Sequence, residues 1–199
     1  MKKLVVAAGI ASAVLSNSAF AQAEKFAGFQ LGASLDLVSA RSEGTVTGND
    51  TTSNQSSGNA SLIAQFNFAL GSEWILGLGG SYQLGENKAG NWNISGVTNT
   101  LKNLYSGYAV AGYAVDSNGL LYTKLAGLGA DSYVTSSSSS TTSVTGRGIG
   151  IGYQGFIGTN TTFTTELMYN KYHEFTPKGS SNTVTPQSTV LSFIVAHKF

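Results

Sequence analysis

Thr189-Val190-Leu191-Ser192-Phe193-Ile194-Val195-Ala196-His197-Lys198-Phe199 closes the sequence on strict alternation. Read by twos, Leu191, Phe193, Val195, His197 and Phe199 share one face, and Val190, Ser192, Ile194, Ala196 and Lys198 share the other. A two-residue period is that of a β-strand. Two settings accommodate such a strand: the edge of a soluble β-sandwich, or the wall of a barrel with one face in lipid.

Seven further stretches carry the same period. Phe29, Leu31, Ala33, Leu35 and Leu37 oppose Gln30, Gly32, Ser34 and Asp36 within 27–40, and Leu62, Phe66 and Phe68 oppose Ser61, Gln65 and Asn67 within 60–70. Residues 74–84 set Trp74, Leu76 and Leu78 against Gly77, Gly79 and Ser81; 120–134 set Leu121, Thr123 and Leu125 against Tyr122, Lys124 and Ala126. Ile149, Ile151 and Tyr153 oppose Gly148, Gly150, Gly152 and Gln154 in 146–158, and Phe163, Thr165 and Leu167 oppose Glu166, Met168 and Asn170 in 162–175. In the remaining stretch, 101–114, both faces carry tyrosine and small residues, so its register stays open. Strands of soluble proteins are about five or six residues long, whereas a bilayer-crossing strand needs about 9 to 11 plus its rims.

Connection lengths alternate as well. Short links, 71–73, 115–119 and 159–162, follow the second, fourth and sixth stretches, and long polar segments, 41–59, 86–100, 135–145 and 176–187, follow the odd ones. Short turns at one end and long loops at the other is how membrane barrels are organised. A soluble up-and-down barrel has no reason to segregate loop length, and it places its apolar residues inside.

Lys2 and Lys3, an apolar run from Leu4 to Leu15, and Ala19-Phe20-Ala21 make residues 1–21 a secretory signal peptide. Its apolar core falls short of the ~20 residues that a spanning helix needs. Cleavage after Ala21 leaves a mature domain over 22–199 and, with two lysines gone, moves the formal charge from +1 to −1. That balance implies no nucleic-acid partner. There are no cysteines, so disulfide scaffolds and thiolate metal sites are excluded.

Aromatic residues gather at strand ends. Phe29, Phe68, Trp74, Tyr113, Tyr122, Phe163 and Phe199 fall toward the short turns, and Tyr82, Tyr105, Tyr133, Tyr172 and Phe175 toward the long loops. Amphipathic rings favour the headgroup level, so two belts are expected. Backbone groups facing lipid must all be paired, which strands achieve only by closing. The expected fold is therefore all-β: an eight-stranded antiparallel up-and-down transmembrane β-barrel whose first and last strands pair.

Tyr105-Ser106-Gly107-Tyr108-Ala109-Val110-Ala111-Gly112-Tyr113 leading through a tight turn to Leu120–Leu125, the glycine-alternating 146–158 stretch and the aromatic-ended last strand resemble the small eight-stranded outer-membrane barrel family. That family includes the transmembrane domain of outer-membrane protein A, outer-membrane protein X and the opacity-type porins and surface antigens. The resemblance implies a Gram-negative outer membrane with both termini in the periplasm. As partners it implies outer-membrane lipid and lipopolysaccharide, and the barrel-assembly machinery and periplasmic chaperones during biogenesis. Phe193, Val195 and Phe199 match the family's carboxyl-terminal assembly signal, with His197 a departure from its usual apolar pattern.

Candidate chemistry is sparse. Gly150-Ile151-Gly152-Tyr153-Gln154-Gly155 matches a dinucleotide fingerprint as a string, but that motif needs a following helix to receive phosphate, so glycines in a bending wall are the better reading. His173 and His197 raise a lipid A-modifying or proteolytic enzyme, yet neither has a neighbouring nucleophile and orienting carboxylate. Ser136 to Ser143 is a hydrophilic low-complexity loop tip, and its extracellular ligand, if there is one, is not legible. No catalytic residue, cofactor or metal ligand is assigned. Lys124, Gln154 and Glu166 fall on inward faces at similar heights and are expected to meet in the lumen. The favoured role is a non-catalytic, structural and surface-exposed barrel. The alternatives are a narrow porin-like channel, for which the inward glycines 77, 79, 148, 150 and 152 make room, and a surface adhesin.

Overall fold

The computed structural model describes residues 22–46, 49–91, 98–135, 140–176 and 183–199. The expected leader and the tip at 136–139 lie outside the described residues. A short helix, α1 (Gln22–Phe26), precedes the strands β1 (Gly28–Val46), β2 (Asn49–Leu70), β3 (Trp74–Leu84), β4 (Asn87–Asn91), β5 (Thr98–Ala114), β6 (Gly119–Thr135), β7 (Ser140–Phe156), β8 (Thr161–Tyr172) and β9 (Thr183–Lys198). Chain neighbours pair antiparallel except β3 and β4; β3 pairs with β5 and β1 pairs with β9, which closes the sheet into an eight-stranded barrel. β4 is a ninth, short rim strand. It resumes the path of β3 beyond Gly85, whose φ of +125° breaks the ladder, and it pairs with the upper part of β5.

The hydrogen-bonded row that leaves β1 at Ser39 passes Tyr169 and Leu125 and re-enters β1 at Phe29, ten residues along. A shear of ten tilts the strands and sets which inward side chains share a height.

The barrel is apolar outside and polar inside. Leu35, Leu125 and Ile149 are 68%, 62% and 57% exposed, while Gln30, Asp36, Lys124, Gln154 and Glu166 are buried. An apolar surface encircling the whole wall far exceeds the few hundred Å² that water-soluble monomers leave bare. Inward and outward faces follow the period-two reading in every assigned stretch. The stretch left open, now β5, turns Tyr108, Val110 and Ala114 inward. Its register slips between Lys102 and Tyr105, where Asn103 takes a φ of +50°, and this bulge is what blurs its alternation.

Two expectations are corrected. The segments 41–59 and 176–187 are not simply loops: β1 and β2 stay paired up to Val46 and Asn49, and β9 already runs from Thr183. Beyond the apolar zone both faces are polar, so alternation ceases while pairing continues. Tyr122 and Tyr172 belong to neither aromatic belt, because both are buried with their rings inside the barrel. The belt at the short-turn end is otherwise present, with Trp74 packed edge-on against Tyr113 at 5.2 Å and Phe29 beside Phe199 at 5.9 Å.

Candidate functional site

The interior is built in layers. At the short-turn end α1 enters the mouth with Ala23 and Phe26 fully buried. The Ala23 amide donates to the Ser72 carbonyl at 2.9 Å, and Lys25 Nζ donates to Asn118 Oδ1 at 2.6 Å, so two of the short turns hold the helix. Phe26 packs on Phe156 at 5.0 Å between centroids. The Phe26 carbonyl, left over at the helix end, accepts from Asn67 Nδ2 at 3.1 Å and from Gln30 Nε2 at 3.4 Å. Side-chain amides from the wall thus satisfy the backbone of the segment that closes the mouth.

Above it, Gln154 Nε2 donates to Gln30 Oε1 at 2.8 Å and to Thr162 Oγ1 at 3.0 Å. The next layer is charged. Lys124 Nζ lies 2.5 Å from Glu166 Oε2, Tyr122 donates its hydroxyl to the same oxygen at 2.7 Å, and Lys124 sits 4.1 Å from the centre of the Tyr108 ring. Of the three lumen residues singled out in the sequence, Lys124 and Glu166 are brought together and Gln154 is not. Glu166 shares its row with Gly152, whereas Gln154 lies two residues further along β7 toward the short turns, where Gln30 and Thr162 meet it.

The glycines do not leave the lumen open. Tyr122, Gly152 and Glu166 share one row, and a Cβ on Gly152 would fall inside the Tyr122 ring. The missing side chain lets the phenol reach across β7 to the carboxylate. Tyr108 covers Gly79 in the same way, and Met168 covers Gly150. Rings and a thioether occupy the volume that Gly79, Gly150 and Gly152 give up, and the side-chain amides of Asn67 and Asn170 face Gly77 and Gly148.

Toward the long hairpins lies a chamber of about 100 Å³ bordered by Asp36, Ser61, Lys124, Glu166 and Ser192 together with the apolar Ile63, Met168 and Ile194. That is room for a few waters. Asp36 accepts from Ser61 Oγ at 2.5 Å and has no cationic partner among the described residues. A second apolar cluster, Leu101, Ala130, Val144 and Tyr172, narrows the barrel above it. α1 and the Asp36–Ser61 contact were missed in the sequence; the alternation of Asp36 with Leu35 and Leu37 was the available signal for the latter.

The two histidines lie elsewhere. His197 is on the outer wall with its ring edge-on to Phe199 at 4.8 Å, and His173 is exposed with Nδ1 3.1 Å from Thr145 Oγ1. Among the described residues no cluster of three or more His, Cys, Asp or Glu is arranged to hold a metal ion.

No protein-family model matches the chain. No curated protein sequence matches it either. Solved structures do. Neisserial surface protein A is 18% identical, with 87% of this chain and 98% of that one covered at a TM-score of 0.54. The outer membrane protein OprG of Pseudomonas aeruginosa is 13% identical, with 87% and 96% covered at a TM-score of 0.52. The fold is that of the small eight-stranded outer-membrane barrels.

Proposed function

We propose that this barrel stands in a bacterial outer membrane as a non-catalytic, non-conducting wall that displays its long hairpins at the cell surface. The observation that carries the reading is the filled interior: α1 in the mouth, the Gln154–Gln30–Thr162 layer above it, and the Lys124–Glu166–Tyr122 layer above that. The inverted distribution of apolar side chains supports the membrane setting. The short turns and both ends of the wall then face the periplasm. Removal of residues 1–21 leaves Gln22 as the first residue of α1, so the mature amino terminus is itself the stopper of the mouth. Lipid and lipopolysaccharide surround the wall, and the assembly machinery and chaperones handle it on the way.

Fractionation of cells combined with protease treatment of intact cells tests this reading. The mature protein is expected in the outer-membrane fraction, clipped only in the long hairpins, with the 71–73, 115–118 and 157–160 turns protected. Recovery from the soluble periplasm contradicts it. The long paired β1–β2 hairpin favours surface adhesion as a second reading, since it carries paired strands beyond the apolar zone. Binding of the purified barrel to host-cell surfaces, lost when 44–51 is replaced by a tight turn, distinguishes the two.

A further inference from the structure

Near the long-hairpin end the outer wall carries Arg41, Lys102, Arg147 and Lys171, and they are not alike. Arg41 pairs with Glu43 at 3.0 Å, and Lys102 pairs with Glu86 at 2.8 Å. Arg147 and Lys171 are exposed and form no ion pair with any described residue. They are also direct cross-strand partners on β7 and β8, which puts their Cβ atoms about 5 Å apart. Like charges directly opposite each other destabilise a sheet, and an anion held between their heads would offset that cost.

The same row continues from Arg147 through Gly127 and Gly107 to Gly80. A Cβ on Gly107 would meet nothing within 4 Å, and one on Gly127 only the Gly107 carbonyl at 3.9 Å. The wall therefore has a bare shelf crossing three strands, about 10 Å wide at the usual strand spacing. Beside it a cleft of about 520 Å³ is lined by Leu125, Gly127, Arg147, Ile149, Tyr169 and Lys171. Tyr169 donates its hydroxyl to Gln187 at 2.9 Å and forms one edge of the cleft. Cations border the cleft above, and Leu125 and Ile149 lie two residues below on the same face.

We propose that this cleft binds a phosphorylated glycolipid of the surrounding leaflet. A phosphate sits between Arg147 and Lys171, and the acyl chains run over the glycine shelf past Leu125 and Ile149. A shelf three strands wide suits a headgroup that carries several chains. The inference rests on the membrane setting proposed above and deepens it, since it names one arc of the wall and the chemistry that arc selects.

Native mass spectrometry of the refolded barrel in detergent, with bisphosphorylated lipid A as probe, tests it. Each protein is first shown to be folded by heat-modifiable migration. The wild type is expected to retain lipid A, and Arg147→Gln combined with Lys171→Gln is expected to weaken retention by about tenfold or more, the equivalent of one lost charged contact. Lys102→Gln is expected to leave retention unchanged. Gly127→Leu keeps both cations but fills the shelf, and is expected to lose retention too, which keeps the test decisive should the double variant fold poorly. Equal retention by the wild type and both variants overturns the site, and equal retention of dephosphorylated lipid A or of phosphatidylglycerol overturns the choice of ligand. Failure of the wild type to refold into detergent as a heat-modifiable barrel instead overturns the membrane setting.

Discussion

Lys124 Nζ lies 2.5 Å from Glu166 Oε2 inside the barrel, with the two side chains 8% and 5% exposed and a glycine-faced strand between them. Both residues come from strands whose outward faces are apolar, and both side chains point into the lumen beside the small chamber. Two further contacts support the pair: Tyr122 donates to the carboxylate and the Tyr108 ring face receives the ammonium.

Glu166→Gln is expected to lower stability by ~3 to 5 kcal/mol, because it leaves a buried ammonium with only a ring face and a neutral amide. Replacing both partners with apolar residues, Lys124→Met with Glu166→Leu, is expected to recover most of that loss. Urea-unfolding midpoints in lipid vesicles measure both. A single variant as stable as the wild type means that water in the adjoining chamber solvates the charges separately.

Phe199 ties the closing seam. Its amide donates to the Phe29 carbonyl at 2.9 Å, and its ring packs on Phe29 and His197. Deleting Phe199 is expected to lower the yield of folded barrel, with more protein in aggregates. It removes both a pairing between the first and last strands and the terminal aromatic that, with Phe193 and Val195, matches the assembly signal. Heat-modifiable migration on gels reads the yield, and an unchanged folded fraction removes that role from Phe199.

Asp131 ties the β5 bulge to β7 beyond the apolar belt. Asn103 Nδ2 donates to its carboxylate at 3.0 Å and Ser143 Oγ at 2.9 Å, and these hydrogen bonds hold its pKa below the usual carboxylate value. Because the folded value is depressed, the contribution is full above the ordinary value of about 3.9 and is lost as pH falls through the folded one. Amide exchange at Asn103 and Ser143, taken relative to the intrinsic rate at each pH, is thus expected to accelerate as pH falls from about 4 through the depressed value in the wild type. It is expected to be fast at every pH in Asp131→Asn. Exchange in the wild type that does not respond to acid contradicts the role given to Asp131.

Much of this was legible because one side of each strand is held to a strict rule. Where lipid or lumen faces a residue, as from Leu31 to Leu37 or from Ile149 to Tyr153, period two survives and gives both face and element. The rule lapses in three places. Above the apolar zone, 41–46 and 49–59 pair with no apolar face, so their Ser, Thr, Asn and Gly residues read as loop although they are strand. At Asn103 a bulge changes the phase of β5. In the lumen, height depends on a shear that no single strand encodes, and so Gln154 was grouped with Lys124 and Glu166 instead of with Gln30 and Thr162. The helix α1 carried no readable signal, since five residues cannot display a period of 3.6.

The closed lumen is tested most directly by single-channel recording in planar bilayers, comparing the mature wild-type barrel with a form lacking residues 22–26 and carrying Glu166→Gln. The account predicts a silent wild type and resolvable openings once the stopper and the charged layer are both gone. Steady ohmic conductance from the wild-type barrel contradicts it.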